Sequence, residues 1–252
     1  MPLIRSIIRT LLFYFLFQGL GFLFFFHLWA FSANFLLLFF PVQLGFYVIV
    51  AFFLIKNKNL FYGIHSGRME TTVNSANKVT LFRITMLPFL TLLTLVSQSY
   101  PAEPVLVAAC AITFVTDFID GRIAKARGLE TYIGKILDSA SDYLLLGITA
   151  GAFFFFKLLK PWLFWIIIGR LFINAVIMTL LFMIHKKLRP QTTPVGRITI
   201  AAIMILLVVE AAKPLGLPGW IGVVEKTGAL IIGLSVIDKF VYFIRSLKPK
   251  AE

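Results

Sequence analysis

Long apolar runs alternate with short charged interruptions along the whole chain. The runs fall at about 11–31, 35–55, 80–97, 104–120, 134–156, 162–184, 195–209 and 220–244. About 20 apolar residues in helical form cross a bilayer, and only helices or closed barrels can do so with every backbone group satisfied. The pattern therefore predicts an all-α, polytopic membrane bundle of about eight transmembrane helices. The first run exceeds a signal-peptide core and lacks a small-residue cleavage site, so it reads as a retained span. It pairs with the second as a Phe-rich, acid-free hairpin, residues 1–56, predicted to be an extension outside a six-span core at 80–252. Between them, 57–79 is polar and reads as a cytoplasmic or interfacial connector. Pro88 is a tolerated kink, while Pro104 and the Thr193–Pro194 pair suit helix first turns.

Composition agrees with the pattern. Of 252 residues 60% are hydrophobic and only 14% charged, against about 25% charged in soluble domains; mean hydropathy is +0.93. The formal net charge of +13 would suit nucleic acid, but its distribution argues for the membrane instead. Of the 24 basic residues, Lys157, Lys160, Lys213 and Lys226 fall in outer segments, Arg170 falls within a span, and the rest lie at inner segments and span ends. That asymmetry predicts both termini in the cytoplasm, no nucleic-acid partner, and a cytoplasmic-membrane location. The single cysteine, Cys110, sits in an apolar run and suits packing, and His27, His65 and His185 are too scattered to form a metal cluster.

Against this apolar background, TDFIDGRIAKARGLETYIGKILDSASD places four aspartates at one end of two spans. If the fourth run stays helical through Ala124, Asp117, Asp120, Gly121 and Ala124 share one stripe, and Gly134, Asp138, Ser141 and Asp142 share another on the fifth. Facing carboxylates repel unless a positive charge lies between them, and hard oxygen donors suit Mg²⁺ or Mn²⁺. The residues thus predict a divalent-metal site, and four aspartates suit two ions. Gly121, Ala124 and Gly134 remove bulk where a phosphate or nucleotide would approach.

The spacing D-x-x-D-G-x-x-A, then G-x3-D-x3-D after an eight-residue spacer, resembles the CDP-alcohol phosphotransferase family at Asp117, Asp120, Gly121, Ala124, Gly134, Asp138 and Asp142. Lys125 stands where that family usually has Arg, keeping charge but losing the planar fork. A second echo, NKVTLFR from Asn77 to Arg83, is similar to the opening of the family's first core span. The resemblance implies that Asp117, Asp120 and Asp138 hold metal on a CDP diphosphate, with Asp142 reaching the metals and acting as general base. It implies substrate-binding roles for Gly121, Ala124, Lys125 and Gly134, and a nucleotide-site wall at Asn77 and Arg83. Arg83 would serve equally as an interfacial anchor. The resemblance also allows a homodimer.

The resulting expectation is a metal-dependent phosphotransferase that joins a CDP-linked donor to an alcohol acceptor among membrane lipids. CDP-diacylglycerol with a polar alcohol, glycerol 3-phosphate first, stands beside the alternative of CDP-choline or CDP-ethanolamine with diacylglycerol. Arg170, buried in a span, needs a partner or a water-filled cavity and is expected to bind substrate, and Arg197, at a helix start beside the basic loop HKKLRPQTTPVGR, suits an acceptor phosphate. Against glycerol 3-phosphate, the chain reads LDSASDY where many members using it read LDPxADK. A cation or proton transporter using the same acids is the reading from another class; it predicts acids along a crossing pathway, whereas these cluster at one face with none deep in the other spans.

Overall fold

The computed structural model describes residues 2–64, 67–126, 130–185, 194–216 and 219–247; the side chains of 117–126, 181–185, 194 and 245–247 are outside that description. Among the described residues the chain is all-α: α1 (Pro2–Trp29), α2 (Ala33–Lys56), α3 (Ser75–Val96), α4 (Glu103–Ala126), α5 (Tyr132–Phe155), α6 (Pro161–His185), α7 (Pro194–Ala212) and α8 (Ile221–Leu247). Six of these, α1 to α3 and α6 to α8, are long and apolar enough to cross a membrane, and α4 has a shorter apolar stretch, Glu103–Thr116. The chain is a multi-pass membrane protein. α5 carries Lys135, Asp138 and Asp142 in its first three turns, which lowers its apolar content where chemistry is expected.

Helix ends run past the apolar runs because caps, not hydrophobicity, set them. α3 begins five residues before its predicted start because the Asn74 side chain accepts a hydrogen bond from the Asn77 amide. Pro88 lies inside α3 as expected. α5 ends in a Schellman motif: the Leu158 amide donates to Phe153 O at 2.8 Å and the Lys157 amide to Phe154 O at 3.1 Å. Lys157 takes the left-handed position, with φ 61°.

The chain forms two compact units, Met1–Thr149 and Ala150–Glu252. In the first, α3 packs against α1, α2 and α4, and one apolar cluster joins the hairpin (Ile7, Leu11, Tyr47, Val50, Leu54), the connector (Phe61, Val73), α3 (Leu81, Ile84) and α5 (Ile133, Leu137). The hairpin also carries a buried polar knot. Gln43 Nε2 and Tyr47 OH donate to Gln18 Oε1 at 3.1 and 3.0 Å, and Gln18 Nε2 donates to Thr85 Oγ1 on α3 at 3.3 Å. The hairpin thus shares packing and hydrogen bonds with the helix that carries Arg83.

The connector does more than bridge. Tyr62 and Gly63 form antiparallel bridges with Met69 and Thr131, the Ile64 amide donates to Glu130 O, and the Tyr132 amide donates to Tyr62 O. Tyr62 and Tyr132 stack with ring centres 5.5 Å apart. The connector therefore pins the chain just before α5.

In the second unit α6 and α7 pack against α8. Two acids are buried at the ends of these helices, Glu210 in the last turn of α7 and Glu225 near the start of α8. α7 continues helically past Glu210 to Ala212, so a residue expected in a turn is enclosed. Lys213 pairs with both glutamates and Lys160 pairs with Glu225 at 2.6 Å. The acids persist in the interior because each has a cation in contact.

Candidate functional site

α4 is helical through Ala126, so Asp117, Asp120, Gly121 and Ala124 share the expected stripe, with Lys125 beside it. Their side chains, and all of Arg127 and of Lys186, Lys187, Arg189 and Thr193, lie outside the described residues. The site is therefore built here from α5 and α3.

Asp138 and Asp142 stand one turn apart on α5, and Arg83 of α3 reaches both. Its Nη2 donates to Asp138 Oδ1 at 3.0 Å and to Ser141 Oγ at 2.6 Å, and its Nη1 lies 3.6 Å from Asp142 Oδ1. Ser141 Oγ in turn donates to Asp138 O at 2.8 Å. Arg83 is fully buried, whereas the Asp138 side chain is 54% and the Asp142 side chain 18% exposed. The guanidinium is thus enclosed, Asp138 opens outward, and Asp142 is mostly buried. A planar fork suits this task, since one group orients two carboxylates and a hydroxyl at once. The positive charge that the carboxylate stripe demanded includes Arg83, which joins residues 55 apart in sequence.

Asn77 and Gly134 are also turned into the protein. Asn77 Nδ2 and Thr131 Oγ1 lie 3.0 Å apart, and Asn77 Oδ1 and Thr131 Oγ1 3.1 Å apart. Thr131 Oγ1 also accepts from the Gly134 amide at 3.1 Å, capping α5. A Cβ at Gly134 would overlap Asn77 Oδ1 and come within 2.8 Å of Thr131 Oγ1. Glycine at 134 is needed for this close approach, and the space removed by its missing side chain is filled by Asn77 and Thr131.

Gly134→Ala is accordingly expected to destabilise the protein by about 1–3 kcal/mol, the usual cost of overpacking. Asn77→Ala should recover part of that loss in the double variant, because it removes the overlapped atom. Thermal unfolding in detergent of both single variants and the double variant checks this. A Gly134→Ala protein as stable as the parent would rule out the contact.

Arg170 and Arg197 belong to the second unit. Arg170 is buried, and its Nη2 donates to Gly196 O on α7 at 3.3 Å; that carbonyl is a partner of the kind its burial required. Arg197, the next residue along, is exposed in the first turn of α7. Arg170 therefore braces the turn that presents Arg197.

Among the described residues no three potential metal ligands come together. Asp138 and Asp142 supply hard oxygen donors held one turn apart, with Asp138 opened toward the outside, and this chemistry fits one side of a divalent-cation site. Sequence reasoning missed the connector's pairing with residues 130–132 and the role of Ser141 as a bridge between Arg83 and the α5 backbone. The Tyr–Gly–Ile stretch at 62–64 carries no motif that would have announced either.

A family model described as CDP-alcohol phosphatidyltransferase matches residues 73–236, which include the aspartates but not the hairpin. The chain is 29% identical over 132 residues to a CDP-diacylglycerol–glycerol-3-phosphate 3-phosphatidyltransferase of Aquifex aeolicus, covering 50% of this chain and 69% of that one. The protein of the same name from Bacillus subtilis is 33% identical over 110 residues, 39% of this chain and 57% of its own length. That from Rickettsia prowazekii is 34% identical over 79 residues, 31% and 43% respectively.

Proposed function

Because the chain belongs to the CDP-alcohol phosphatidyltransferase family, we propose that it transfers the phosphatidyl group of CDP-diacylglycerol to glycerol 3-phosphate and releases CMP. The observation that carries this reading is the pair Asp138 and Asp142 gathered around buried Arg83 within the family-matched stretch. The names of the relatives favour CDP-diacylglycerol over CDP-choline or CDP-ethanolamine as donor, and glycerol 3-phosphate as acceptor, in spite of the LDSASDY departure. The basic-residue asymmetry favours the cytoplasmic membrane, with the aspartates and both termini on the cytoplasmic side.

In this mechanism Asp142 takes the proton from the acceptor hydroxyl as its oxygen bonds to the phosphatidyl phosphorus. The bond from that phosphorus to the bridging diphosphate oxygen breaks, and the oxygen leaves with CMP. Arg83 holds Asp138 and Asp142 in fixed register, so neither has to be reoriented during turnover. Asp117, Asp120, Asp138 and Asp142 would hold Mg²⁺ or Mn²⁺, which when bound supplies charge neutralisation of the diphosphate. Gly121, Ala124 and Lys125 lie along the helix that would bed the donor. Arg197, exposed at the start of α7, would compensate the acceptor phosphate.

The test is CMP release by purified protein with Mg²⁺ or Mn²⁺, offered CDP-diacylglycerol or CDP-choline and a panel of acceptors. CMP is expected with CDP-diacylglycerol and glycerol 3-phosphate, and chelation should abolish it. Arg197→Ala should raise the glycerol 3-phosphate KM roughly ten- to a hundredfold, the loss of one charge-assisted phosphate contact, with donor KM little changed. A neutral alcohol as best substrate, with acceptor KM unmoved in Arg197→Ala, would sink the acceptor assignment.

A further inference from the structure

At the end of α5 remote in sequence from Asp138, the second unit has a cavity of about 610 Å³ whose lining includes Lys157, Lys160, Lys213, Phe154, Phe155 and Pro161. The wall is mixed in a particular way. Its aromatic part is exposed, with Phe155 77% accessible, and Trp162 and Trp165 are exposed just beyond it on α6. Exposed tryptophan and phenylalanine next to lysine is the composition of a membrane–water boundary, where a ring sits at headgroup depth and an amine meets phosphate.

The charge in the cavity can be counted from its contacts. Lys160 and Lys213 pair with Glu225, and Lys213 also pairs with Glu210. Three lysines against two glutamates leave one positive charge (3 − 2 = +1), and Lys157 makes no ion pair with a described residue. A single phosphodiester, carrying one negative charge, balances that remainder. A zwitterionic headgroup brings no net charge to do so, and a phosphomonoester dianion would exceed it.

We propose that this cavity is a binding site for one anionic phospholipid, its phosphodiester at Lys157 and its acyl chains along Phe154 and Phe155. The site lies apart from the aspartate motif in sequence and uses none of its residues. Its occupant would tie together the turn between α5 and α6 and the turn after α7, because Lys157, Lys160 and Lys213 come from both.

The backbone at Lys157 provides a discriminating test. It holds the left-handed position of a Schellman motif, where glycine and asparagine fit without the Cβ penalty. Lys157→Gly should therefore melt higher than the parent in nanodiscs of phosphatidylcholine alone, yet lose most of the rise in melting temperature that phosphatidylglycerol gives the parent. Lys157→Asn should behave alike, and Lys157→Arg should keep the rise. Native mass spectrometry should show one phosphatidylglycerol fewer retained on the glycine and asparagine variants than on the parent. An undiminished phosphatidylglycerol-dependent rise in both of those variants would overturn the proposal. So would an equal rise in the parent from inorganic phosphate or glycerophosphate in phosphatidylcholine nanodiscs, which would mark a plain anion site.

Discussion

Asp142→Asn is expected to lower kcat by about 100- to 10,000-fold, the range over which a positioned general base contributes, while leaving donor affinity close to that of the parent. The amide keeps the shape of the carboxylate, and Arg83 keeps its hydrogen bonds to Asp138 and Ser141, so folding should survive. What is lost is the capacity to take a proton. CMP release under saturating substrates, together with calorimetric titration of a CDP-diacylglycerol analogue, separates the two effects. Turnover within a few-fold of the parent would remove Asp142 from proton transfer.

The second large effect is expected at Arg83. Arg83→Met keeps the length and apolar stem of the side chain but removes the fork that holds Asp138, Ser141 and Asp142. Breaking hydrogen bonds to charged groups costs about 1.5–3 kcal/mol; the lower part of that range applies here, because Asp138 is half-exposed and can rehydrate. The kinetic loss should be larger, since a misplacement of about 1 Å at a reacting group can cost about a hundredfold. Arg83→Lys restores the charge but cannot reach three partners in one plane, so it should recover stability ahead of kcat. A Met variant with the kcat of the parent would show that Arg83 has no part in positioning the aspartates.

These two residues also mark what the sequence could convey. Asp142 was legible because its chemistry is encoded locally: carboxylates at helical spacing, in a setting where an acid is costly, announce a site without knowledge of the fold. Six of the eight helices were legible for a similar reason, each of the six being an apolar run long enough to span. Arg83 was visible as a residue but not as a role, because its partners lie on another helix and their identity depends on how α3 and α5 pack. Gly134 shows the same limit. Its missing side chain suited a bound nucleotide and suited Asn77 equally well, and only tertiary placement distinguishes them. Glu210 was misplaced because an acid just past an apolar run and ahead of a Pro-Gly turn reads as part of that turn, whereas the continuation of α7 and the pairing with Lys213 enclose it.

The knot at Gln18 bears on the order in which the protein is made. α1 and α2 leave the ribosome ahead of α3, and within that hairpin Gln18 Oε1 accepts from both Gln43 and Tyr47. Its amide nitrogen is then the donor that turns to α3, where Thr85 accepts it. A donor held in an apolar bilayer strongly favours a partner over lipid. The early hairpin thus presents the next helix with a keyed groove, so that α3 docks in one rotation and brings Arg83 to the face that α5 will later meet.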